Sequence, residues 1–337
     1  GFRVKNLPDG CFFDLAPDGI GTKVIVIDAA VSYRNAARDL LAMTLGDITR
    51  WGGLPVMFTN VLDVATLGKN VDDFAFDAFR ELFRGLRDAA NEVSVIAFKG
   101  ETAELGMCVG SENPHPQAAF NWAGMAYGIY DPRRMITGDT LRAGHVLVAL
   151  QENGFRSNGL SSARTALRMH FGDEWYVNPD AREAIAQVAT PSVLYDKFLA
   201  DMNGWFSPNF EPKVKMHLIA HLTGGSIKSK LADDILFPRG LSATLYRLCR
   251  VPNIIRQCAG WRGMPEEEIF GTWTCGQGAI IALERSDLDF FISEAARAGI
   301  AAQECGVVSE ESSPILRIQS PFSVKMLEHR PQATVKP

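Results

Sequence analysis

Two apolar periodicities alternate along the chain. Lys23 to Ala30 (KVIVIDAA) is a β-branched run, long enough for a strand and short for a helix, and is predicted as a strand. Arg34 to Trp51 sets Ala37, Leu40, Leu41, Leu45 and Ile48 at helical spacing, and Gly52-Gly53 stops it. Pro55 to Val61 reads as a second strand. Asp72 to Asn91 is the clearest helix, with Phe76, Phe79, Leu82, Phe83 and Leu86 opposite Arg80, Glu81, Arg84 and Arg87. Val93 to Phe98 and Ala119 to Ile129 follow as strands. The turn-rich stretch Asp131 to Gly144 marks a domain junction. Beyond it the pattern predicts a strand at His145 to Leu150 and helices at Gly159 to Phe171, Pro179 to Val188 and Pro191 to Asn203. A loop spans Gly204 to Lys213, and a strand ends at His221. Helices and strands then alternate to Ile318, ahead of a loosely ordered tail, Ser320 to Pro337. No short repeat or low-complexity segment interrupts this mixed α/β order.

Composition narrows the class. At 337 residues, 47% hydrophobic and 22% charged, the chain is an ordinary globular protein with length for two domains. Mean hydropathy is −0.01, and no run of about 18 apolar residues marks a membrane helix. The 34 basic residues against 39 acidic ones give a net charge of −5, which disfavours general nucleic-acid binding. The six cysteines are scattered without a C-x-x-C pair, which reads as reduced thiols in a cytoplasmic protein.

The familiar nucleotide and hydrolase signatures are absent: no P-loop, no G-x-G-x-x-G after a strand, no H-E-x-x-H and no G-x-S-x-G. The six histidines show no metal-ligand spacing. Four other segments carry candidate chemistry. Asp18-Gly19-Ile20-Gly21-Thr22-Lys23 is either a surface turn or a close-approach loop with a hard-cation ligand and a phosphate-binding lysine. Gly46-Asp47 sits within an apolar helical run, where Asp47 is either a surface acid or a carboxylate that needs a partner. Lys99-Gly100-Glu101-Thr102-Ala103-Glu104 follows a strand. If a helical turn begins there, Glu101 and Glu104 share a face and invite a cation; otherwise they decorate a helix N-terminus. Gly154 to Gly159 (GFRSNG) and His221 to Ser226 (HLTGGS) are either tight turns with a plain N-cap or anion cradles at helix starts.

The order of these pieces is more telling than any one of them. D-G-x-G-T-K, a helical Asp, G-E-T-A-E, S-N-G, H-L-T-G-G and a C-G-x-G strand together resemble the aminoimidazole ribonucleotide synthetase (phosphoribosylformylglycinamidine cyclo-ligase) family, from Asp18 to Val308. The segments GHVLVAL, SNGLSSAR, TPSVLY, IAHLTGG and TWTCGQGAIIAL are similar to that family as well. The resemblance implies a fold of α/β (α+β) class. An ATP-binding and dimerisation domain (residues 1–135) would have its mixed sheet forming a barrel with a second subunit, and residues 139–337 would form an α/β sandwich. It implies an ATP- and Mg2+-dependent ring closure in purine synthesis. There ATP phosphorylates the formyl oxygen of formylglycinamidine ribonucleotide, and the amidine nitrogen displaces phosphate. By motif position, Asp18, Gly19, Gly21, Thr22, Lys23, Asp47, Gly100, Glu101, Thr102 and Glu104 would bind ATP, with Asp18, Asp47 and Glu101 on the metal and Lys23 and Asp47 catalytic. Arg156, Ser157, Asn158, Gly159, His221, Thr223, Gly224 and Gly225 would bind the ribonucleotide.

Some positions depart from the family pattern. Arg156 stands where a histidine is common, so no acid/base role carries over to it. Gly46 replaces an asparagine, Ser226 a glycine, and Lys99 the first glycine of G-G-E-T-A-E; a one-residue insertion blurs the register of Asp63. Only 17 residues precede Asp18, where relatives carry a longer Gly-rich leader. These departures motivate two alternatives: another ATP-using enzyme of the superfamily, like selenophosphate synthetase or thiamine monophosphate kinase, or a non-catalytic nucleotide-binding paralogue.

Overall fold

The computed structural model describes residues 5 and 7–331. Strands β1 (Phe12–Gly19), β2 (Leu54–Val64), β3 (Ile96–Glu104) and β4 (Phe120–Tyr130) form one sheet in the order β1-β4-β2-β3. It is mixed: β4 runs antiparallel to β1 and β2, while β2 and β3 are parallel. Alternation along β2 sends Phe58, Leu62 and Val64 into a core shared with α2 (Ala36–Thr49) and α3 (Phe74–Val93). Thr59, Val61 and Asp63 face the other way. The helical stripes behave as the sequence predicts: Leu40, Leu41, Leu45 and Ile48 of α2 and Phe79, Leu82 and Leu86 of α3 are buried. Asp73 caps α3 by accepting from the Ala75 amide at 3.1 Å.

One element is corrected. Lys23–Ala30 is a helix, α1, not a strand. Val26 packs into the core of the second sheet, while Ile27 packs into the core of the first. A helix with cores on both sides needs no polar face, so its sequence loses the 3.6-residue signature and reads as a β-branched run. The turn at Asp18 therefore leads out of a strand into a helix, the reverse of the expected order.

The second sheet has seven strands: β5 (Val146–Gln151), β6 (Leu218–His221), β7 (Leu241–Leu245), β8 (Gln277–Leu283), β9 (Ala302–Glu310), β10 (Leu316–Gln319) and β11 (Met326–His329). Their order is β11-β10-β7-β9-β5-β8-β6, antiparallel except between β7 and β10. Both faces are covered, as the near-continuous apolar runs of β5 and β8 require. Val146, Val148 and Leu150 pack with α6 (Asp196–Met202) and α9 (Leu288–Arg297). Leu147 and Ala149 join the opposite core, built on α4 (Leu160–Phe171), α5 (Arg182–Val188), α7 (Asn253–Arg262), α8 (Glu266–Thr272) and the π-helical segment Lys228–Leu236. The expected loose tail is corrected in part: β11 is paired with β10, and residues 332–337 lie outside the described residues. Among the described residues no helix is long and apolar enough to cross a membrane.

Candidate active site

The seam between the sheets gathers most of the residues singled out from sequence. Asp18 closes β1 and accepts from the Gly19 amide at 2.7 Å. Asp47 lies near the C-terminal end of α2, with its Oδ1 3.6 Å from Arg50 Nη1 and 3.5 Å from His221 Nδ1. Partial desolvation raises the carboxyl of Asp18, an otherwise exposed residue, above its usual range, and the like charge of Asp47 adds to the shift. Burial works on Asp47 in the same sense, but His221 and Arg50 outweigh it and hold that carboxylate below its usual range. Two hard oxygen donors whose charges oppose each other suit a small divalent cation such as Mg2+.

From the second sheet, His221 ends β6 and the following turn carries Thr223, Gly224 and Gly225. Facing it is the β5–α4 loop with Arg156, Ser157, Asn158 and Gly159; a Cβ on Gly224 would lie 3.8 Å from Asn158 Oδ1. Asn158 Nδ2 reaches Met43 Sδ of α2 at 3.4 Å, and the Ser157 hydroxyl is buried without a hydrogen-bond partner. Gly159 precedes α4 with φ +70°, and a Cβ there would strike the Trp273 ring, so glycine is required on both counts. The two turns thus bring hydroxyl, amide and backbone groups next to His221 and the Asp47 helix.

Four expectations change. Lys23 is completely buried: its ammonium donates to Asp39 Oδ1 and to the Thr190 carbonyl, both at 2.7 Å. It ties α1 to α2 and to the second sheet's loops, and an amine so committed is not presented to a phosphoryl group. Arg156 and His221 are likewise interior residues, 1% and 4% exposed, engaged with protein atoms rather than open to a ribose phosphate.

The acids of G-E-T-A-E are also rearranged. They lie in β3 and not in a helical turn, so Glu101 and Glu104 project to opposite faces of the sheet. Glu104 accepts from the Leu67 amide at 2.7 Å. Glu101 registers with Val61, Val61 with Ala123, and Ala123 with Gly19, which puts three strand spacings, about 14 Å, between Glu101 and the Asp18 turn. Within one chain, Glu101 therefore cannot share an ion with Asp18. Gly100 lies against Asn60, whose amide oxygen accepts from Trp122 Nε1 at 3.0 Å. Thr102 lies on the same side of β3 as Glu104.

Sequence reading missed the buried polar scaffold behind the site. Glu152 holds Arg156, the pair lying four residues apart in a segment otherwise read as a turn. Asp39 interrupts the apolar stripe of α2, which was a usable signal for a buried ion pair. Asp196 accepts from Thr49 Oγ1 at 2.8 Å, a contact between elements that no local pattern reveals. Histidines distant in sequence also meet: ligating atoms of His145, His217 and Glu284 lie within 4.8 Å of one another. The Arg142 amide approaches His145 Nδ1 at 3.3 Å, which leaves the proton on Nε2 facing Glu284. His217 Nδ1 is engaged by the Thr140 hydroxyl at 2.8 Å, whereas its Nε2, 3.7 Å from Glu284 Oε1, is buried without a hydrogen-bond partner.

Fold and site together define a two-domain α/β protein whose polar groups converge where a helix-backed four-stranded sheet meets a seven-stranded one. The chain belongs to the AIR synthase related protein family: the family's N-terminal domain matches residues 5–126 and its C-terminal domain residues 142–319. It is 29% identical over 273 residues to the phosphoribosylformylglycinamidine cyclo-ligase of Carboxydothermus hydrogenoformans, covering 80% of this chain and 72% of that protein. Its fold is similar to Thermotoga maritima PurL complexed with FGAR, with a TM-score of 0.59, 15% identity and coverage of 96% of this chain; the chain spans 46% of the PurL length. It is also similar to the hydrogenase maturation protein HypE in complex with ATP, with a TM-score of 0.58, 13% identity and coverage of 98% and 89%.

Proposed function

We propose that the chain is an ATP-dependent cyclo-ligase of purine synthesis that converts formylglycinamidine ribonucleotide to aminoimidazole ribonucleotide, releasing ADP and phosphate. The observation that carries this reading is the meeting of Asp47 with His221 and its Thr223–Gly225 turn, against which the Asn158 loop packs, with Asp18 near enough for its carboxyl to feel the charge of Asp47. Cyclo-ligase relatives matched over most of their length support it. Bound Mg2+ would supply charge neutralisation for the phosphates of ATP, with Asp18 and Asp47 as its protein ligands. Gly19, Gly21 and Thr22 would lie along the nucleotide, while Ser157, Asn158, Thr223 and Gly224 would orient the ribonucleotide so that its formyl oxygen faces the transferable phosphoryl group. Positioning of this kind replaces a covalent nucleophile.

In this reading the enzyme is a cytoplasmic homodimer with domains at residues 1–135 and 139–337. The open face of the first sheet, which carries Glu101, would be covered by the same face of a second copy, the two sheets closing a barrel. Purified protein should form aminoimidazole ribonucleotide only when formylglycinamidine ribonucleotide, ATP and Mg2+ are all present; absence of product overturns the reading.

A second reading is motivated by Gly46 and Arg156, the two site positions that depart from the family pattern and that both touch His221. It is an ATP-using enzyme of the same superfamily with another acid or amide substrate. ADP release across a substrate panel, without response to formylglycinamidine ribonucleotide, would select it.

A further inference from the structure

Behind Asp47 lies a chain of three buried groups whose proton positions are fixed by chemistry. Arg156 Nη1 donates to Glu152 Oε2 at 2.8 Å, and Nη2 donates to the Ala42 carbonyl at 3.2 Å. The same Nη2 faces His221 Nε2 at 2.9 Å. Glu152 is held in turn by the Asn153 amide at 2.8 Å and the Val193 amide at 3.3 Å. Arginine offers donors only and stays charged, so the imidazole nitrogen it meets must present a lone pair. With Nε2 bare, a neutral His221 carries its proton on Nδ1. That nitrogen is buried without a hydrogen-bond partner in this geometry, and Asp47 Oδ1 lies 3.5 Å from it, longer than a normal hydrogen bond. The ring occupies this place because position 46 has no side chain: a Cβ there would lie within 2.5 Å of Nε2.

We propose that Arg156 is a positioning residue that fixes His221 as the Nδ1–H tautomer, making it a neutral hydrogen-bond donor aimed at Asp47. His221 is thereby excluded as a proton acceptor and as a cation ligand, because its one lone pair is committed to the guanidinium. Asp47 Oδ1 takes both its neighbours, Arg50 and His221, and the carboxylate is oriented for a ligand through its other oxygen. This role for Asp47 rests on the reading that it belongs to the Mg2+-nucleotide site; the tautomer assignment does not.

The first test is long-range 1H–15N NMR on protein labelled at histidine, with the His221 signal identified by its loss in His221→Gln. The expected spectrum shows a bare Nε2 and a protonated Nδ1; a protonated Nε2 overturns the proposal. In the double variant Glu152→Leu/Arg156→Met, which removes the buried ion pair as a unit, the tautomer should become mixed or invert. An unchanged tautomer in the folded double variant shows that Arg156 does not set it. Where that variant does not fold, the wild-type spectrum alone decides.

The second test is calorimetric titration with ATP and Mg2+. His221→Gln retains an N–H donor and should bind within about threefold of wild type, whereas His221→Leu should lose about tenfold or more. Equal losses in the two variants overturn the donor role. If wild-type protein binds no Mg2+-ATP, the nucleotide reading fails while the tautomer result stands on its own spectrum.

Discussion

Gly46 and His221 fit together as a knob and its recess: the imidazole of β6 lies against α2 where residue 46 lacks a side chain. In an exposed helix, glycine to alanine stabilises by up to about 1 kcal/mol. Here the added methyl would fall within 2.5 Å of His221 Nε2 and within the ring's other van der Waals radii, with the buried Arg156 guanidinium beyond it.

Gly46→Ala is therefore expected to destabilise the fold by about 1–3 kcal/mol, the cost typical of overpacking. Urea unfolding checks the sign. A midpoint at or above that of wild type would mean that the ring does not occupy this position. Restoring the asparagine usual in the family, Gly46→Asn, should cost at least as much unless Arg156 is changed with it.

Lys23 is predicted to act on stability before chemistry. Its ammonium and the Asp39 carboxylate are both interior, and Asp39 Oδ1 also accepts from the Ser192 amide at 3.0 Å and hydroxyl at 2.6 Å. Lys23→Met leaves that acid buried and uncompensated, a loss of about 3–5 kcal/mol. Removing both charges in Lys23→Met/Asp39→Leu should recover part of it. Equilibrium denaturation of the three variants tests the coupling; near-additive losses would show that the ion pair is not formed.

These two cases show where the sequence was legible. The helix with one wet face, α3, carried its periodicity plainly, while β5, covered on both faces, was legible as an unbroken apolar run of strand length between turn signals. KVIVIDAA did not, because α1 is wedged between cores with Val26 in one and Ile27 in the other. Motif order singled out Asp18, Asp47, the S-N-G turn and the T-G-G turn as candidates, and each lies at or near the end of a regular element. It misassigned Lys23 and Arg156, because the residue type that binds phosphate also satisfies a buried acid. The separation of Glu101 from Asp18 depends on strand order, which local sequence does not encode.

Asp196 supplies a pH dependence. Burial pushes its carboxyl up from 3.8 to about 6, against the hydrogen bond from Thr49 and the charge of Arg156, with Asp47 adding to the rise. The folded state therefore keeps this proton to higher pH than the unfolded chain. The associated stability is present in full below about pH 4 and is lost as pH rises through about 4 to 6. A shift of this size corresponds to about 3 kcal/mol. Asp196→Asn keeps an oxygen for the Thr49 hydroxyl and removes the titration. Its stability advantage over wild type, measured by urea unfolding, should grow from pH 4.5 to pH 7. A difference that stays constant across that range would assign the proton elsewhere.

The open face of the first sheet gives the last prediction. Leu15 registers with Tyr127, Met125 with Thr59, and Ala123 with Val61, so these side chains share one face with Glu101 at its edge. Leu15 and Val61 are 47% and 46% exposed, two ends of an apolar stripe that crosses from the β1 edge to β2 on a sheet whose other face is covered by helices. Exposed contiguous apolar surface of this kind marks an interface. A second copy would protect the β1 and β3 edges as well. Sedimentation should give a dimer of the 36.9 kDa chain at micromolar concentration, and Val61→Arg should give a monomer with unchanged far-ultraviolet circular dichroism. A wild-type monomer refutes the interface. Glu101 lies on the face that would be covered and about 14 Å from the acids of its own chain, so a role at the cation requires the partner. In that case Val61→Arg and Glu101→Gln should weaken Mg2+-ATP binding alike; if Val61→Arg dissociates the dimer without lowering affinity, Glu101 is not part of the nucleotide site.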